Sequence, residues 1–392
     1  KPEVEIQFPK DFLLGAASSA HQVEGNNKNS DWWHYEELGK LPKSGLATDH
    51  YNRFDEDFAI AQSIGLNAMR ISIEWARIEP QPGTWDMEAV AHYRKVLQSM
   101  KSRGLTRMVT MQHFTLPWWL AKQGGFSALN ADKLFARYCA FIVENLINDV
   151  ELWVTINEPE IYSRMTRFLG LHPPFKKNII SALWFGHCLV KSHKAAFRAI
   201  KKSFPNVKVG IAKNDVYNEP ARRSHWLDRL TAKVMNYFGN EYFLVRISNE
   251  LDFIGLNYYF SHVVKLSLFG GYETVNRNAP MSDMGWRTYS EGIYHLLSGL
   301  KKYHKPIYIT ENGIANSSDD MRQRFIFEHL QWTKKAIDHG VDVRGYFYWT
   351  LVDNYEWHDG FGPKFGLVEL NNETLARKVR LSAEIFKKIK IG

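Results

Sequence analysis

Eight short apolar runs recur along the chain, at residues 12–17, 66–73, 105–112, 152–156, 207–212, 253–257, 307–310 and 343–349. Helically periodic stretches separate them, among them 53–64, 89–103, 131–148, 179–203, 222–250, 290–304 and 320–339, and a last amphipathic helix is expected over 374–391. Short apolar runs alternating with amphipathic helices read as parallel strands, because a parallel pairing needs a crossover long enough to hold a helix. Eight such units close into a (β/α)8 barrel, an α/β fold of the TIM type. A bare barrel needs roughly 250 residues, so this chain also has room for loop insertions. No linker or low-complexity tract interrupts it, and 1–392 is expected to be one catalytic domain. A doubly wound open sheet is the weaker alternative, because no glycine-rich phosphate loop follows the first run.

In a closed barrel every strand ends on the same rim. The fourth run delivers Asn157 and Glu158 ahead of Pro159, and the seventh delivers Glu311. The third brings His113, the sixth Asn257 and Tyr259, and the eighth Trp349. Taken alone, Glu158 reads equally well as the N-cap of the next helix, and His113 or Trp349 as core. A shared rim is what unites them. Two rim carboxylates suit acid/base and nucleophilic work on a glycosidic bond. An aldolase-type barrel wants a lysine at a strand end, and none of the eight runs presents one. A metal-dependent hydrolase wants His-x-His after the first run, where SSAHQVEG stands. No metal or cofactor is expected.

Composition sharpens this. The chain has 13 Trp, 18 Tyr and 24 Phe, many beside polar residues at strand ends. Flat apolar faces next to hydrogen-bonding groups match a sugar's CH faces and hydroxyl edges. The net charge of +8 is scattered over helix faces, as with Lys191, Lys194, Arg198, Lys201 and Lys202, so no nucleic-acid partner is expected. No run approaches the roughly 18 apolar residues of a membrane span, and the N-terminus has no signal-peptide core. Neither a membrane partner nor export is expected, and a cytoplasmic location is. Cys139 and Cys188 sit in apolar helical runs and read as buried thiols.

Several motifs stand in a telling order: FLLGAASSAHQVEG from Phe12, RISIEWARIEP from Arg70, QHFTLPWWL from Gln112, TINEP from Thr155, GLNYY from Gly255, ITENG from Ile309, and YWTLVDNYEW from Tyr348 followed by FGLV. Together, and over nearly the whole chain, they resemble glycoside hydrolase family 1, the β-glucosidase family. The resemblance implies a retaining exo-β-glycosidase that removes β-linked sugars from non-reducing ends by double displacement. A transglycosylase using the same residues, or a non-catalytic sugar-binding barrel, are the alternatives. Glu158 matches the general acid/base and Asn157 the group holding the sugar 2-hydroxyl. Glu311 matches the nucleophile, with Arg70, Asn257 and Tyr259 orienting it and favouring its charged form. Gln22, His113, Glu356 and Trp357 match groups that bind sugar hydroxyls, and Trp349 the platform beneath the ring. Retention requires carboxyls about 5 Å apart, whereas inversion needs a wider gap for water.

Members acting on 6-phosphosugars carry a serine-bearing segment where this chain has NYEW. Glu356 as an anion would repel a phosphate, so a neutral sugar such as glucose, galactose or fucose is expected. Phe114 stands where the family usually has Trp, and Glu74 where many members have a small residue. Members are usually longer than this chain. The shortage falls between Asn214 and Met284, so shortened loops between strands five and seven are expected to leave the leaving-group side open.

Overall fold

The computed structural model describes residues 5–266, 272–275 and 279–392. Its centre is a closed barrel of eight strands in chain order: β1 (Leu13–Ala17), β2 (Ala68–Ser72), β3 (Thr106–Gln112), β4 (Leu152–Asn157), β5 (Lys208–Asn214), β6 (Phe253–Tyr258), β7 (Ile307–Asn312) and β8 (Val343–Trp349). Every pairing around it is parallel, and β8 pairs with β1 to close it. The principal helices outside it are α1 (His50–Ser63), α2 (Met87–Ser102), α3 (Ala131–Leu146), α4 (Ile179–Ser203), α5 (Trp226–Asn236), α6 (Glu291–Leu300) and α7 (Arg322–Asp338).

The helices follow from local chemistry. In α2, the Asp86 side chain accepts from the backbone N–H of Glu88 and Ala89, satisfying donors that a helix start leaves free. Val90, Tyr93, Leu97 and Met100 form its buried face, and Gly104, at φ +69°, lets the chain turn away.

Inside the barrel, Met108, Leu152, Val154, Phe253, Tyr308 and Phe347 pack with Ala17, Ala68 and Ala212 as a cluster separate from the outer core. Large rings are accommodated by missing side chains: a Cβ on Gly210 would lie 2.5 Å from the Phe253 ring.

Strand parity changes where the rim begins. Along β4, Leu152 and Val154 pack inward, while Trp153 and Ile156 join the outer core. Thr155 also points outward, its hydroxyl 2.7 Å from His193 on α4. The β4–β5 register slips between Val154 and Asn157, and the β7–β6 register slips between Ile309 and Glu311. Slips of this kind re-aim side chains at barrel rims. Without them, strict alternation would place Ile156 in the barrel and turn Asn157 and Glu311 outward.

Two expectations change. The terminal segment is not an α-helix: strand Arg377–Val379 precedes a 3-10 helix, Leu381–Lys388, and a strand, Lys390–Ile391, paired with Gln7–Phe8. The buried pairs Ser382/Ile385 and Ala383/Phe386 are three apart, the spacing that a 3-10 helix stacks. Strand β5 runs two residues further than its apolar run and so carries Lys213 near its end. That lysine is buried, but it alternates with the inward Ala212 and Asn214 and pairs with Asp215, away from the mouth. The connections 215–252 and 259–306 carry strands of their own. Tyr217–Pro220 pairs with Ser261–Leu266, which pairs with Tyr272–Thr274, and part of the second connection lies outside the described residues. His92 stacks on Tyr51 at 3.6 Å and His193 sits between Thr155 and the Glu250 carbonyl, both in packing roles.

Candidate active site

The rim is assembled around Arg70, a fully buried arginine of β2. Its Nε donates to Thr110 Oγ1 at 3.0 Å. Nη1 donates to the Thr310 carbonyl at 3.1 Å and Glu311 Oε1 at 2.6 Å. Nη2 donates to Asn157 Oδ1 at 2.7 Å. A buried guanidinium is tolerated only when its charge and donors are matched. Here that requirement ties the ends of β3, β4 and β7 to one rigid group.

The two carboxyls have unlike surroundings. Glu311 receives Arg70 on Oε1 and the Tyr259 hydroxyl on Oε2. Burial raises its pKa overall, while Arg70, the Tyr259 hydroxyl and Asn257 all act against that rise. Among the described residues, Glu158 receives only neutral amides, from Asn257 at 2.8 Å and Asn214 at 3.0 Å, both on Oε1. No described residue bonds its Oε2. Burial, and then the charge of Glu311, push Glu158 up to about 8. The backbone contributes too: Glu158 sits at φ +44°, in the left-handed region, with its N–H bonded to the Ala212 carbonyl at 2.7 Å. Asn157 and Glu158 thereby reach the mouth together. The helix-cap reading fails, because the Glu158 side chain makes no capping bond to Pro159–Ser163.

The remaining groups surround a pocket of about 1230 Å³, open mouth included. His113 Nε2 lies 3.2 Å from the amide nitrogen of Asn157, whose Oδ1 is committed to Arg70 and Asn257. The ring must therefore accept at Nε2 and carry its hydrogen on Nδ1, which is buried and has no partner among the described residues. Burial and then Arg70 hold His113 well below the usual histidine range, so the ring is neutral. Gln22 is held by Ser19, Tyr355 and Asn354. Trp349 Nε1 donates to Glu356 Oε1 at 3.1 Å. Trp357 stacks on His21, with ring centroids 5.8 Å apart. Gln22, His113, Asn157, Glu158, Tyr259, Glu311, Trp349, Glu356 and Trp357 all line the pocket; Arg70 and Asn257 do not, and support it from the buried rim layer.

Burial pushes Glu356 up to about 8, which weakens it as an anionic repeller of phosphate. The stronger argument is compositional: the only lysine or arginine among the described lining residues is Arg164. Lys364 does not line the pocket. Phe114 does, at φ +67°. Glu74 does not; both its oxygens accept from the Thr115 hydroxyl.

Sequence reasoning missed Asn214. It ends β5, as the recognised rim residues end other strands, but the charged Lys213 before it breaks the apolar run. It also missed the outer wall, where Ile161, Met165, Leu169, Leu171, Phe260 and Met284 make an apolar approach to the acids.

A rim that holds one carboxyl among cationic and hydroxyl donors and the other among neutral amides, beside aromatic faces, defines a glycosidase that works with two acids. The chain belongs to glycosyl hydrolase family 1, whose family model matches residues 4–247 and 244–391. It is a retaining β-glycosidase. Its structure is similar to a β-glycosidase from Pyrococcus horikoshii, with a TM-score of 0.92 and 38% identity over 98% of this chain and 94% of that one. In sequence it is 31% identical to β-glucosidase A of Thermotoga maritima, over 95% of each chain. It is also 31% identical to a β-galactosidase of Pyrococcus woesei, over 97% of this chain and 96% of the relative.

Proposed function

We propose that Glu311 is the nucleophile and Glu158 the general acid/base, and that the whole chain acts as one catalytic domain. The substrate is a neutral β-linked sugar at a non-reducing end, with glucose and galactose the first candidates. The names of the T. maritima and P. woesei relatives support those two sugars. One observation carries the assignment: among the described residues, Arg70 and Tyr259 donate to Glu311, whereas only amides donate to Glu158. Donors that favour the anion suit the group that attacks the anomeric carbon. A buried acid with neutral partners keeps its proton for the departing oxygen.

The steps balance. Glu158 gives its proton to the glycosidic oxygen as the Glu311 carboxylate bonds to the anomeric carbon and the aglycone leaves. Esterification removes the negative charge of Glu311, and with it one cause of the raised pKa of Glu158. Glu158, now a carboxylate, takes a proton from water, whose oxygen displaces Glu311. His113, neutral, lines the pocket beside Asn157 and is placed to meet a sugar hydroxyl. Glu356, protonated, can donate to one hydroxyl while accepting from another. A cytoplasmic setting agrees with the free, buried Cys139 and Cys188.

The test is to trap the intermediate with a 2-deoxy-2-fluoro β-glucoside bearing a good leaving group, then digest and sequence. A fluoroglucosyl ester on the peptide containing Glu311 is expected; an ester on Glu158, or inactivation without any adduct, would overturn the assignment.

A further inference from the structure

From Ile161 to Asn214 the chain has no Asp or Glu, but it has 11 Lys and Arg. This run makes one side of the active-site mouth. Backbone bonds from Leu171 to Met165, Lys176 to Thr166 and Asn178 to Arg167 fold residues 165–178 back against the start of α4. Asn178 then caps α4 by accepting from Ser181 N–H at 2.9 Å. The lobe and the helix start leave large apolar side chains in solvent. Ile180 is 75% exposed and Trp184 57%, with Leu183, Ile179, Phe168 and Leu171 also exposed. Ile180, Leu183 and Trp184 share one helix face by their i, i+3, i+4 spacing.

Charge is arranged around this patch. Farther along α4, Lys191, Lys194, Arg198 and Lys201 have carboxylate partners. Beside the patch, Arg164, Lys176 and Lys177 are exposed, and none is within ion-pair distance of an acid among the described residues. A second stripe repeats the pattern on α5, where Trp226, Leu230 and Val234 are exposed with Arg229 and Lys233 between them. Asp228 of α5 accepts from Leu266 N–H. That bond ties α5 to strand Ser261–Leu266, which begins beside the pocket-lining Phe260.

We propose that this face is a peripheral docking surface for an anionic lipid bilayer, seating the mouth of the barrel against the headgroups. Exposed aromatic and aliphatic side chains among cations match the interface of such a bilayer, where rings and aliphatic groups enter the headgroup boundary and lysines meet negative charge. A second copy of the chain fits worse, because an isologous contact sets the same unpaired cations against each other. The patch also continues inward: Arg164, Met165, Leu169 and Leu171 belong to both the lobe and the pocket wall. A glycoside whose aglycone is anchored in lipid would meet an apolar path to the acids. No described helix is long and apolar enough to cross a membrane, which bears on insertion and not on surface contact. The proposal does not depend on which carboxyl is the nucleophile.

The test is co-sedimentation of the full chain with vesicles of phosphatidylcholine alone or mixed with phosphatidylglycerol. The expected result is binding to the mixed vesicles, weakened by salt. Lys176→Glu and Lys177→Glu are expected to lower the partition coefficient by about fivefold or more each. Ile180→Asp with Trp184→Asp should abolish binding while nitrophenyl β-glucoside hydrolysis stays unchanged, since neither side chain lines the pocket. That unchanged hydrolysis also shows the double variant to be folded. Protein left in the supernatant with the mixed vesicles, or patch variants that bind as well as the parent, would overturn the proposal. So would a parent dimer that Ile180→Asp converts to monomer, because the patch would then belong to a second copy.

Discussion

The two halves of the barrel interior solve opposite problems. The lower half holds Met108, Leu152, Phe253 and Phe347, apolar groups whose burial favours folding. The upper half buries Arg70, Asn157, Glu158, Asn257 and Glu311 on the same strands. Removing these groups from water opposes folding unless each finds a partner. Every nitrogen of Arg70 finds a partner. Glu158 keeps one oxygen without a described partner, and His113 keeps a buried nitrogen without one. Both residues line the pocket, so the lower layers stabilise a rim that a sugar in that pocket would complete.

Substitutions can test this division. The largest expected effect is at the rim. Glu311→Gly should lower kcat for nitrophenyl β-glucoside by roughly four decades, each about 1.36 kcal/mol of barrier, and should also lower the thermal midpoint, because the buried Arg70 loses its carboxylate partner. Phe347→Ala, in the lower half, should act on stability and spare the chemistry. It should cost about 3–5 kcal/mol of stability in denaturant melts while the pH profile of the surviving activity stays in place. A profile that moved with Phe347 would mean that the halves are not separable.

Glu158→Gln joins the two halves of the comparison. It should lower kcat by roughly 10²–10⁴-fold for poor leaving groups and raise thermal stability. The sign follows from linkage: a buried carboxyl pushed up to about 8, against about 4.3 unfolded, favours the folded state only while protonated. The parent loses that contribution as pH rises from about 4 to 8. The advantage of the variant should therefore be small at pH 4 and grow toward pH 8, read by melting scans across that range. The smallest effect is expected from Tyr259→Phe. Losing the hydroxyl donor to Glu311 should move the acidic limb of kcat/KM upward by about one pH unit or less.

How far the sequence could be read depended on period. Eight apolar runs separated by helical spacing were enough for the barrel, and strand-end positions were enough to group Glu158, Glu311, His113 and Trp349 on one rim. The terminal segment misled because apolar residues three apart suit both an α-helix and the tighter 3-10 helix observed at Leu381–Lys388. Asn214 was hidden by Lys213, whose charge reads as a strand end although its side chain turns outward. The protonation of Glu356 could not be read, since it depends on burial by residues distant in sequence. The exposed face of α4 was hidden for a related reason: Ile180, Leu183 and Trp184 have the spacing of a buried face, and only the packed chain shows that the described residues leave them exposed.

The central claim is the division of labour between two buried carboxyls, and azide tests it most directly. Glu311→Gly and Glu158→Gly are each given an activated aryl β-glucoside with sodium azide, and the glycosyl azide is assigned by its anomeric coupling constant. In the first variant azide takes the place of the missing nucleophile and should give the α-azide. In the second it intercepts the glycosyl-enzyme and should give the β-azide. The same anomer from both variants, or the two anomers exchanged, would contradict the account.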